Sequence, residues 1–229
     1  MMNEVAENHL RIFRTESPVT VLGPGKRAVV WVQGCHLGCS GCVVPESWDA
    51  SGGTSVAAAT IAEWILAQPD IEGVTFSGGE PMIQATALRQ IVEIICGHRD
   101  LGVMVYTGYT LEFLQRNADK AQVALLDVTD LLVDGSYIES RHANRLWRGS
   151  DNQRLICLTP RYESLVGDLL PSNDRSAGVE VITDSDGAFG FVGVPPRPGF
   201  RRQFIDKMAE FGVVVAPADT IAPMKGIQP

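Results

Sequence analysis

No stretch of the chain reaches the roughly 18 consecutive apolar residues that a membrane span needs. Residues 1–9 are polar and acidic and lack the apolar core of a signal peptide. Basic charge is scarce: 19 Lys and Arg stand against 27 Asp and Glu, a net charge of −8, and no basic run is present. That balance carries no electrostatic footprint for nucleic acid or for an anionic membrane surface. Aromatic residues make up only 7 % of the 229 positions, yet hydrophobic residues make up 45 %, which excludes a disordered or collagenous chain. The expectation is a cytoplasmic protein with one large domain, or one domain with a small appendage.

Cysteine is also sparse, and its placement is informative. Of five, Cys35, Cys39 and Cys42 fall within eight residues, while Cys96 and Cys157 stand alone. An odd number without an export signal argues against a disulfide framework and for metal binding. The lone pair reads as buried, inert thiols.

The chain alternates between strand-like and helix-like segments. Residues 27–33 (RAVVWVQ), 73–76, 103–106, 131–133 and 155–158 read as strands. Residues 54–68, 85–96 and 111–117 carry apolar residues at helical spacing, the first stopped by Pro69. Such alternation predicts a parallel sheet with right-handed crossovers. After Ser172 the character changes. Strands over 179–183 and 189–194 flank a turn at Asp184-Ser185-Asp186-Gly187. A helix over 198–211 and a strand over 213–215 complete a ββαβ module. The expected domains are 1–171 and 172–229.

Polar motifs follow the strands, where parallel α/β folds place their sites. Cys35, Cys39 and Cys42 form CxxxCxxC in a loop opened by Gly34, Gly38 and Gly41. Thiolates are soft ligands for zinc or an iron–sulfur cluster. Three of them fill three corners of a four-iron cube and leave one iron open. A structural zinc site, with His36 or a remote residue as fourth ligand, is the alternative. Ser77-Gly78-Gly79-Glu80-Pro81 exposes backbone groups to a close ligand and adds a carboxylate for an amino group. Taken alone it also suits a tight turn with an acid at a helix start.

Together these motifs resemble the radical S-adenosylmethionine (SAM) enzymes, whose signatures are CxxxCxxC and GGE. The words around them (Gly23-Pro24-Gly25, Trp31-Val32-Gln33-Gly34, Tyr106-Thr107-Gly108-Tyr109, Val133-Asp134-Gly135-Ser136-Tyr137, Arg148-Gly149-Ser150) are similar to the small activating enzymes of anaerobic ribonucleotide reductase and pyruvate formate-lyase. The resemblance spans about residues 10–159. Val44 stands where relatives commonly carry Asn, and the module after Ser172 exceeds what the smallest activases need.

The resemblance implies an α/β fold: a partial (β/α)6 TIM-like barrel, open on one side, with the cluster loop at its C-terminal mouth. It implies an oxidoreductase in which Cys35, Cys39 and Cys42 hold a 4Fe-4S cluster. Gly78, Gly79 and Glu80 seat the methionine part of SAM, and the cluster donates one electron to give a 5′-deoxyadenosyl radical. Thr107 and Asp134 lie where such an enzyme holds a monovalent cation, and Arg148 pairs with the SAM carboxylate or a substrate anion. The implied partners are a reductant such as flavodoxin or ferredoxin and a glycyl-radical protein. Direct action on a small molecule or peptide in cofactor or natural-product biosynthesis is the alternative, and a zinc-binding interaction protein a third. Two lone cysteines do not supply an auxiliary cluster. The module after Ser172 is the only part long enough to cover the mouth, with stiff Pro195-Pro196-Arg197-Pro198 directing its helix.

Overall fold

In a computed structural model that describes residues 8–183 and 189–213, a seven-stranded sheet forms the frame. Its strands, in chain order, are β1 (His9–Val19), β2 (Arg27–Val32), β3 (Thr54–Ala57), β4 (Gly73–Gly78), β5 (Gly102–Tyr106), β6 (Leu131–Asp134) and β9 (Arg154–Cys157). Their spatial order is β3-β1-β2-β4-β5-β6-β9. The inner four, β2, β4, β5 and β6, run parallel. β1 and β3 close one edge and β9 the other, all antiparallel to their neighbours.

Six parallel units are therefore not the arrangement of the described residues. Residues 54–57 are a strand, not the start of a helix, because Val56 packs inward and the segment pairs with β1. β1 itself escapes sequence reading because Arg11, Arg14 and Glu16 interrupt its apolar pattern.

The inner strands are neighbours in chain order, so the crossovers lie on one face. α1 (Ala58–Leu66), α2 (Ala85–Cys96), α3 (Leu111–Asn117) and α4 (Lys120–Leu126) contribute to a core on that face with Val30, Val32, Phe76 and Val105. The intervening residues Val29, Trp31, Met104 and Val133 point to the opposite face. Burial on both faces explains why these strands read as continuous apolar runs.

The opposite face is covered differently. A hairpin of β7 (His142–Arg145) and β8 (Arg148–Ser150) sets Leu146 and Trp147 against Met104 and Leu131. α5 (Glu163–Asn173) adds Val166 and contains the expected 171/172 boundary. β10 (Gly178–Thr183) and β11 (Phe189–Val194) then pair, and Val192 is buried against Phe13, Val19 and Trp31. α6 (Phe200–Glu210) follows. The expected turn at 184–187 lies outside the described residues, as does the expected strand over 213–215 after its first residue.

At the far end of the sheet the Arg27 side chain is fully buried. It donates to Thr75 Oγ1 (2.6 Å), to the carbonyls of Pro24, Val74 and Gly102, and to the Tyr162 hydroxyl. Each of these hydrogen-bond partners is neutral, and the nearby Asp130 charge adds to what they offset of the cost of burying the guanidinium. Burial pushes the Arg27 pKa down from its ordinary value.

Candidate active site

β2 ends at Val32, and the loop that follows carries the three cysteines. Its two ends are tied together: Gly34 N–H donates to Ser47 O (2.7 Å) and Cys35 N–H to Trp48 O (3.0 Å). Buried Gln33 holds the loop from below, donating to the carbonyls of Glu46 and Asp49.

The GGE turn after β4 is joined to this loop through the backbone. Gly79 N–H donates to Val32 O (2.7 Å) and Glu80 N–H to Gly34 O (2.9 Å). A Cβ on Gly79 would sit 2.2 Å from Gly34 O, so only glycine permits the approach. Glu80 is 1 % exposed, and its carboxylate accepts from Thr107 Oγ1 (2.8 Å), Gly108 N–H (2.8 Å) and Met82 N–H (3.0 Å). Burial raises its pKa, and these three bonds oppose the rise. One carboxylate offers about four lone-pair sites, so an amino group still finds an acceptor there.

Cys35, Cys39 and Cys42 line a single cavity of about 690 Å³ with Gly78, Gly79 and Glu80. Backbone N–H groups of Leu37 and Gly38 point at the Cys35 sulfur, and those of Val44 and the Trp48 side chain at Cys42. Burial raises both thiol pKa values. Among the described residues no three His, Cys, Asp or Glu side chains close around a single metal ion. A four-iron cube takes one thiolate at each corner and does not need them to meet at a point. Three thiols facing one cavity, with N–H donors aimed at two of the sulfurs, fit such a cluster.

Thr107 lines the cavity through its contact with Glu80. Asp134 does not. Its carboxylate is buried under Arg154, which donates to both oxygens, and Leu111 N–H donates at 2.8 Å. Arg154 thus carries the positive charge that the resemblance assigns there to a cation. Arg148 is likewise directed away, held by Asp174 and by Leu146 O. Cys96 is exposed rather than buried, at the end of α2. His36 rests against Tyr109, its Nε2 2.9 Å from the phenol oxygen.

Sequence reading offered the module after Ser172 as a cover for the mouth but gave no site role to the other lining residues. Tyr106 and His142 both face the cavity, and Tyr106 Oη and His142 Nε2 are buried without partners among the described residues. The Tyr137 hydroxyl meets His142 Nδ1 at 3.0 Å. On the far side, β11 and α6 complete the wall with Phe191, Val192, Phe200 and Phe204. α6 reaches the cluster loop directly, through an ion pair of Arg201 with Glu46.

A family model described as a 4Fe-4S single cluster domain matches residues 21–156. The chain belongs to that family. The matched residues contain all three cavity cysteines and the GGE turn. Over 142 residues the chain is 34 % identical to the anaerobic ribonucleoside-triphosphate reductase-activating protein of Enterobacteria phage T4, covering 59 % of this chain and 86 % of that protein. It is 36 % identical over 147 residues to the protein of the same name from Vibrio cholerae, covering 59 % and 91 %. Similarity to the pyruvate formate-lyase-activating enzyme of Clostridium pasteurianum is 34 % over 131 residues, 55 % of each chain. These matches bear out the resemblance to radical SAM activating enzymes. No helix among the described residues is long and apolar enough to cross a membrane.

Proposed function

We propose that the protein is a radical SAM oxidoreductase that activates a glycyl-radical enzyme by hydrogen abstraction. The observation that carries the reading is the backbone junction of Gly79 and Glu80 with Val32 and Gly34, which brings the cysteine loop and the GGE turn to one cavity. Cys35, Cys39 and Cys42 would hold the 4Fe-4S cluster, and Gly78, Gly79, Glu80 and Thr107 would seat the methionine end of SAM. When bound, the cluster and SAM supply one electron and a 5′-deoxyadenosyl radical that takes a hydrogen atom. The protein's own part is ligation, orientation and exclusion of water. Glu80 accepts the amino group, the glycines let the ligand approach the backbone, and Phe191, Phe200 and Phe204 give the cavity an apolar wall. The partners are a one-electron carrier such as flavodoxin or ferredoxin and a glycyl-radical protein.

We read the sheet as a partial barrel open on one side, with β9 and β3 at its free margins. The sequential order of β2, β4, β5 and β6 and the gathering of α1 to α4 on one face support this. Residues 1–171 would form the catalytic unit and 172–229 an appended module, joined through α5.

One observation favours a second reading. The module lines the cavity that a glycyl-radical loop must enter, and about 690 Å³ under a wall suits a small molecule. Anaerobic reconstitution tests both. Reduced protein with four irons per chain should cleave SAM, and Cys39→Ala should abolish 5′-deoxyadenosine. A glycyl doublet in the electron paramagnetic resonance spectrum of a co-encoded glycyl-radical protein supports activation. Its absence, with SAM cleavage stimulated instead by a small substrate, overturns it.

A further inference from the structure

Resting on the reading that the substrate is a segment of a partner protein, we propose that β11 and α6 form the selecting wall of the cavity, and that this wall takes a peptide segment with an acidic residue near an apolar one.

The wall lies outside residues 21–156, so it is not part of what the family model matches. It nevertheless lines the same cavity as the cysteines. Its inner surface is aromatic. The Phe191 ring meets Phe200 edge-on at 5.1 Å and Phe204 at 5.4 Å, which leaves an apolar seat for an aliphatic side chain. Its rim is cationic. Arg201 is matched by Glu46, but Arg197 and Arg202 line the cavity, are exposed, and have no ion pair among the described residues. Two unmatched guanidinium groups beside one opening stand out in a chain of net charge −8. A guanidinium binds a carboxylate through paired N–H donors, which gives direction as well as charge.

Apolar wall and cationic rim therefore match two features of one occupant: an aliphatic side chain and a carboxylate. A small carboxylate would use only the rim.

The test pans a display library of short linear peptides with a fixed central glycine against full-length reconstituted protein with SAM. Asp or Glu should be enriched at one fixed offset from the glycine, with an aliphatic residue at another. The double variant Arg197→Gln/Arg202→Gln should lose about tenfold in affinity for the selected peptide, the equivalent of one charge-assisted contact. Arg197→Lys/Arg202→Lys should retain most of it, and equal melting temperatures exclude unfolding as the cause. Selection without an acid preference, or equal binding by the Gln variant, overturns the proposal. So does binding that free glutamate displaces regardless of peptide sequence, which would assign the rim to a small carboxylate. If the same preparation makes no 5′-deoxyadenosine from SAM, the proposed function fails instead, and the peptide result is read separately from it.

Discussion

Gly79 shows how much a single missing methyl group decides. Its backbone lies so close to Gly34 that Gly79→Ala must push the GGE turn and the cysteine loop apart. Displacements of an ångström at a reacting centre cost about a hundredfold in rate, so SAM cleavage by this variant should fall by roughly that factor. Iron content per chain, measured on the same sample, should fall with it. Glu80→Gln keeps the shape but removes the charge that would accept the SAM amino group. Loss of one charge-assisted bond corresponds to roughly a 10–100-fold rise in KM for SAM, read from initial rates of 5′-deoxyadenosine formation. Cys96→Ala and Cys157→Ala should leave iron content unchanged, because neither thiol lines the cavity. At this scale much of the site was legible, since the cysteines and the GGE turn are contiguous in sequence and their chemistry is specific. Asp134 and Arg148 were not. Each is followed by glycine in a loop-like word, but their partners Arg154 and Asp174 lie 20 and 26 residues away and turn them out of the cavity. No local pattern announces such pairings.

Among the elements, strands buried on both faces were readable and strands with one polar face were not. β2 and β5 are unbroken apolar runs, whereas β1 alternates with arginines and Glu16, and β3 has only four residues in front of a helix. The direction of β9 was hidden for another reason. Residues 135–153, which include a short 3-10 turn and the hairpin of β7 and β8, separate it from β6, and its antiparallel pairing is visible only in space. Asp174 pins this hairpin to the end of α5. Burial pushes its pKa up, but Leu146 N–H, Arg148 and Arg145 together hold it below the ordinary carboxylate value. A lowered native pKa contributes stability that is present above the unfolded value and is lost as pH falls through the native one. Asp174→Asn should therefore cost about 1–2 kcal/mol near neutrality, in line with hydrogen bonds to a charged group that stays partly solvated. The gap between variant and parent should close in acid, as chemical denaturation at several pH values will report.

For the whole molecule, the ion pair of Arg201 with Glu46 makes the wall answer to the loop. Loading the cluster and SAM should slow amide exchange in residues 34–48 and also in residues 200–210. In Glu46→Gln the second effect should shrink while the first remains, and hydrogen–deuterium exchange followed by mass spectrometry separates the two. The same layout sets an order of events during synthesis. The cysteines are made early, and the phenylalanines that roof them come about 150 residues later. At roughly 5–20 residues per second the ribosome takes on the order of ten to thirty seconds to make that stretch. Through that interval the nascent cysteine loop stands uncovered, reachable by whatever delivers iron and sulfide. Emergence of α6 then puts a wall beside a loop that had stood open.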